Sequence, residues 1–181
     1  LFSLSAPRSL AVINIEWVRA SSMEWLRTQG QSSAAAGALT PADLKVSFEP
    51  AGRAVAIATP HEVQVVALPL AGGIGVAAPI GAPVDAAALV AARKSTIVTE
   101  SPINTVLFWP RGDLLAVATQ DRFVRFYRRA DGRATGEAIK IDSPVVAMTA
   151  IPARNEVLLG SLDGSVRLVD AGTRRFGVEP I

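Results

Sequence analysis

With 181 residues, half of them apolar and only 19% charged, the chain has the composition of a packed globular segment, not a disordered one. A formal charge of +2 is too small to make a basic field, and the absence of cysteine excludes disulfides, thiolate metal sites and thiol catalysis. No apolar run approaches the roughly 18 residues of a membrane-spanning helix, so the expectation is no membrane partner and a cytoplasmic location.

Residues 1–40 support two readings. RSLAVIN (8–14) has strand character, and IEWVRASSMEWLRTQ (15–29) fits two more strands or, lacking Gly and Pro, a helix. GQSSAAAGALT (30–40) is a small-residue linker or loop. From 41 to 81 the pattern is of strands and turns: LKVSF (44–48), a turn at EPAGR, AVAIAT (54–59), a turn at Pro60–His61–Glu62, then VQVVALPL. The stretch 82–101 is irregular. It fits the first two strands of an eroded unit, or an inserted hairpin or helix, since DAAALVAARK is rich in helix formers.

The best-defined unit covers 101–142. NTVLFW (104–109) predicts a buried strand, Pro110 to Asp113 a turn, LLAVAT (114–119) a second strand, and Gln120–Asp121–Arg122 a tight turn. FVRFYRR (123–129) alternates apolar and basic residues as a third strand, and ADGRATGEAI follows as a loop and weak outer strand. Residues 143–181 repeat this order as VVAMTAI, PARN, EVLLGS, LDG, SVRLVD and AGTRRFGVEPI.

The repetition is literal. Residues 109–127 and 151–169 align without a gap at an offset of 42, pairing Pro110 with Pro152, Asp121 with Asp163, Val124 with Val166 and Arg125 with Arg167. At an offset of 60, FEPAGRAVAIAT (48–59) meets FWPRGDLLAVAT (108–119) with six identities in twelve. A period near 42 residues predicts stacked supersecondary units.

The unit P-x-G-x-LLA-x-A-T-x-D-x-x-VR-(F/L), followed by a loop and G-E-x-I, resembles the WD-repeat (WD40-type) β-propeller family, over about residues 41–181. The resemblance implies an all-β fold of four-stranded antiparallel blades: about three clear ones plus one or two eroded, in an incomplete ring. Its blade-holding roles fall on Thr119 and Ser161 of the second strands and on Asp121 and Asp163 of the following turns. The family's Trp is replaced by Tyr127 and Val169, its terminal Asp survives only as Asp170, and no His occupies the interblade position. A closed propeller of this kind usually needs six to eight blades, so the chain reads as a piece of a longer protein that supplies the rest.

Catalytic constellations are scarce. The single histidine, His61, sits in a turn with no nucleophile signal beside it. AGGIG (71–75) lacks the Lys–Ser/Thr of a phosphate loop, and no D-x-D-x-D series suggests calcium. Asp121 and Asp163, equivalent in two repeats, fit turn-capping better than catalysis. The arginines at 122, 125, 128, 129 and 133 have strand spacing with acids among them, a solvated face with no nucleic acid expected.

The function expected is therefore a non-catalytic, cofactor-free scaffold, not an enzyme, binding a protein or a neighbouring domain of its own chain. The alternative is a ligand- or cofactor-binding propeller of the quinoprotein-like or lactonase-like kind. Contacts are expected on the loops 71–75, 130–136 and 171–176, with Trp17, Trp25, Arg129, Arg133, Arg174 and Arg175 as candidates.

Overall fold

A computed structural model describes residues 43–67 and 93–177. All of them belong to one of the chain's two units, the one comprising Thr40–Pro69 and Ala92–Ile181. Trp17, Trp25, the 71–75 loop and most of residues 1–40 lie outside the described residues.

Short β-branched and aliphatic runs between Gly- and Pro-marked turns produce three antiparallel sheets. The first joins β1 (Lys45–Phe48), β2 (Ala54–Ala58), β3 (Glu62–Ala67) and β4 (Arg93–Val98) in that order. The second joins β5 (Ile103–Phe108), β6 (Leu114–Thr119), β7 (Phe123–Arg128) and the two-residue β8 (Ile139–Lys140). The third joins β9 (Val145–Ile151), β10 (Glu156–Ser161) and β11 (Val166–Asp170), with a 3-10 turn at Pro152–Arg154 between the first two. The fold is all-β, and none of the three sheets closes on itself.

The irregular segment resolves differently from its sequence readings. Residues 93–98 form neither an eroded unit nor part of a helix; they are the fourth strand of the first sheet, pairing Glu62 with Val98 and Val63 with Ile97. The lengthened spacing therefore falls between a third and a fourth strand, where an insertion leaves the inner three strands intact. The alternation is physical: Ser95 and Ile97 are buried while Val98 is half-exposed, which is the period-2 pattern of a strand with one covered face. Residues 82–92 lie outside the described ones.

Successive sheets pack with their first strands side by side, β1 beside β5 and β5 beside β9. The register sorts side chains onto two faces. One face of the second sheet, with Val106, Phe108, Leu115, Val117 and Tyr127, packs on Ala56, Ala58, Val63 and Val65 of the first. Its other face, with Ala116, Ala118, Val124 and Phe126, receives Val145, Val157, Leu159 and Val169 of the third. Each fully covered Val, Leu or Phe stabilises by about 1.5–3 kcal/mol relative to exposure, so these two layers dominate the folding energy.

Polar contacts stitch the same junctions. Phe108 N donates to Ser47 Oγ at 3.0 Å, and Ser95 Oγ donates to the Arg129 carbonyl at 2.8 Å. Just past the first strand of the first sheet, the buried Glu49 carboxylate faces the Arg129 guanidinium at 3.5 Å and accepts from Arg53 N at 2.9 Å. At the matching place in the second sheet, Trp109 Nε1 donates to the Ala171 carbonyl at 2.7 Å. Glu49 and Trp109 stand 60 residues apart, and Arg129 and Ala171 stand 42 apart. One junction is thus tied twice, by different chemistry.

Candidate functional site

The tight turns after β6 and β10 carry the polar groups that the repeat singles out. Gln120 N donates to the Pro102 carbonyl and Leu162 N to the Pro144 carbonyl, both at 2.9 Å. Asp121 N donates to Ser101 Oγ at 3.1 Å, and Asp163 N to Ser143 Oγ at 3.2 Å. Each pair is one bond repeated at an offset of 42, holding a turn to the start of its own sheet.

Around Asp121 the two repeats diverge. Thr119 Oγ1 donates to Asp121 Oδ1, and the Arg125 guanidinium grips both carboxylate oxygens, at 3.1 Å and 2.6 Å, while also donating to Thr119 Oγ1 at 2.8 Å. In the third sheet Asp163 instead accepts from Ser165 N and Ser165 Oγ, and Arg167 turns to Ser165 Oγ and to Asp142. Ser161 Oγ, expected to bond Asp163, is buried with no hydrogen-bond partner among the described residues. The shorter Ser165 captures the carboxylate locally, an Asx-type turn that leaves Ser161 unused.

Arg125 was not among the sequence candidates. Two signals pointed to it: its identity with Arg167 at the offset of 42, and the Ser101–Pro102 and Ser143–Pro144 pairs that extend the match upstream. The Asp121–Arg125 pair borders a cleft of about 570 Å³ with Val98, Thr99, Glu100, Ser101 and Tyr127.

The hydrogen bond from Arg125 holds the Asp121 carboxyl below its ordinary 3.8, with burial pulling the other way. A depressed folded-state pKa stabilises the fold at pH above the unfolded value, and that contribution is lost as pH falls through the folded one. Both side chains are about one-third exposed, so the pair contributes no more than about 1 kcal/mol. Asp121→Asn is expected to lower stability by that amount at neutral pH and to flatten the acid limb below about pH 4. Urea melts at stepped pH read both; an unchanged acid limb contradicts the assignment.

A second cleft, of about 520 Å³, lies between Glu137–Lys140 and Gly172–Phe176. Asp170 builds its lower wall: Oδ1 accepts from Gly172 N, Thr173 N and Thr173 Oγ1, which folds the loop back on β11. Those bonds hold the Asp170 carboxyl below its ordinary range, the bond from the Thr173 backbone being the largest cause. Arg174 crosses to the second sheet, donating to the Thr135 carbonyl at 3.1 Å with its guanidinium 4.4 Å above the Phe126 ring. The loops 130–136 and 171–176 are therefore brought together at one junction.

The four arginine candidates divide. Arg129 and Arg174 are occupied by contacts between sheets, with Glu49 in one case and with Thr135 and Phe126 in the other. Arg133 is solvent-exposed, 3.9 Å from Asp131. Arg175 is exposed on the cleft wall, and neither it nor Lys140 opposite makes an ion pair with a described residue. Phe176 beside them is 46% exposed.

No protein-family model and no curated protein sequence matches the chain. Among the described residues no group of three or more His, Asp or Glu side chains is placed to hold a metal ion, and no helix is long and apolar enough to cross a membrane. His61 is exposed, its Nδ1 3.2 Å from the Thr99 carbonyl oxygen.

Proposed function

We propose that the three sheets are consecutive blades of a WD-like propeller and that the chain is a non-catalytic scaffold. Its partner is another protein or a neighbouring domain, held at the cleft between 137–140 and 172–176. The observation that carries this reading is the convergence of two repeat loops on one rigid junction, presenting Lys140, Arg175 and Phe176 without internal partners. Exposed cations flanking an aromatic suit an acidic segment with an apolar anchor, because aromatic and Arg side chains dominate interface hot spots. The side-by-side first strands and the hydrogen bonds repeated at 42 residues support the propeller reading.

A photo-crosslinker at Phe176, in the protein expressed in its native cells, tests the reading. One dominant protein adduct is expected, falling at least about tenfold in a Lys140→Glu, Arg175→Glu double variant, as expected of a hot spot. Reversal of the exposed Arg111 should leave it unchanged. An adduct indifferent to charge reversal at 140 and 175 overturns the reading.

A further inference from the structure

The third sheet keeps one face open. Its register places Ala147, Thr149 and Ile151 of β9, Leu158 and Gly160 of β10, and Val166 and Leu168 of β11 together on the side away from the second sheet. Counted back by 42, these are Thr105, Leu107, Trp109, Ala116, Ala118, Val124 and Phe126. In the second sheet that set is the surface that the third sheet covers, with Ala116, Ala118 and Val124 at 0% exposure and Phe126 at 2%. In the third sheet Val166 is 38% exposed. The repeat itself thus shows what covers such a face: the opposite face of another sheet of the same kind.

The chain also offers that opposite face. Val46 and Phe48 of β1 are 48% and 52% exposed. Counted forward by 60 they are Val106 and Phe108, at 4% and 1%, which are buried against the first sheet. The same two side-chain types are covered where a sheet precedes them and open where none among the described residues does. Val55 and Ile57 behind them are already buried, so the free part of the first sheet is its inner strand. Inner strands are what touch at the two existing junctions, β1 with β5 and β5 with β9.

We infer that a second copy of this chain closes these two surfaces head to tail, β9 of one copy lying beside β1 of the other. The inference rests on reading the three sheets as consecutive propeller-type units. It adds the partner of their open ends. Two copies contribute six sheets, within the 4–8 that close a propeller, and a heterologous contact made twice about a two-fold axis closes without leaving a free end. Burying an apolar face that would otherwise stay wet drives the association.

Light scattering on the 181-residue chain at roughly 100 µM, a concentration that populates even weak complexes, is expected to give a dimer. Phe48→Asp and Val166→Asp replace side chains that are already half-exposed, so both should fold, which far-UV circular dichroism checks. Each alone should be monomeric. An equimolar mixture should recover a heterodimer through the one junction where neither aspartate lies.

A folded, monomeric wild type overturns the inference, and so does growth into open-ended polymers. Dissociation by Val166→Asp but not by Phe48→Asp also overturns it, while leaving the packing of further sheets on this face intact. The cross-linking at Phe176 is read separately, because the cleft lies away from both ends.

Discussion

Replacing Trp109 by alanine is expected to destabilise the chain by about 3–5 kcal/mol, the range for removing a buried large aromatic. At about 2–4 °C per kcal/mol for a protein of this size, the melting temperature should fall by roughly 10 °C. Three losses coincide. The indole is 2% exposed at the junction of the second and third sheets, so its removal opens a cavity. Its ring meets Phe126 edge to face at 4.8 Å, and that contact disappears. The Ala171 carbonyl also loses its donor in a buried position, which costs about 1–3 kcal/mol.

Trp109→Phe keeps most of the volume and loses the donor, so it should recover more than half of the loss. Urea unfolding followed by far-UV circular dichroism separates the variants without relying on tryptophan emission. A loss under about 1 kcal/mol in Trp109→Ala contradicts the picture of a cavity and an orphaned carbonyl.

Much of this junction was legible in advance, and the pattern of what was missed is physical. The strands at 145–151 and 156–161 fall where the alternation and the repeat place them, because each run is apolar, short and bounded by turn residues. β4 was obscured because DAAALVAARK has high helix propensity while KSTIV beside it is β-branched, and tertiary pairing with β3 decided the outcome. Thr119 and Asp121 meet as the resemblance implied, whereas Ser161 and Asp163 do not, since Ser165 was not weighed as a competitor.

Arg129 and Arg174 looked like free cations in the sequence. Their partners, Glu49, Thr135 and Phe126, lie 80, 39 and 48 residues away, too distant for any local pattern to reveal. The candidate cleft depended on the same kind of information, being made where two loops 42 residues apart cross at a junction.

Gly132→Ala should be the most damaging of the conservative loop substitutions, at about 2–4 kcal/mol. Gly132 has φ of +69°, a left-handed conformation that costs a residue with a Cβ about 1–2 kcal/mol. A Cβ there would also sit 2.6 Å from the Thr96 carbonyl oxygen and 3.3 Å from Ile97 Cγ1. Thr96 belongs to β4, a strand paired into the first sheet, so its carbonyl cannot step aside; overpacking of this kind adds about 1–3 kcal/mol. The loop carrying Gly132 must therefore lift off the first sheet, taking with it the Ser95–Arg129 and Glu49–Arg129 contacts nearby.

Two internal controls separate strain from contact. Gly164 has φ of +85° but nothing within 4 Å of the added carbon, so Gly164→Ala should show the conformational cost alone, about 1–2 kcal/mol. Position 174, which is 42 residues beyond Gly132, has φ of +57° and already holds arginine. The repeat tolerates a side chain in this conformation where the neighbouring sheet leaves space, and there the guanidinium over Phe126 offsets the strain. Urea midpoints for Gly132→Ala and Gly164→Ala within 0.5 kcal/mol of each other, about the scatter of surface substitutions, would show that close approach to β4 contributes nothing.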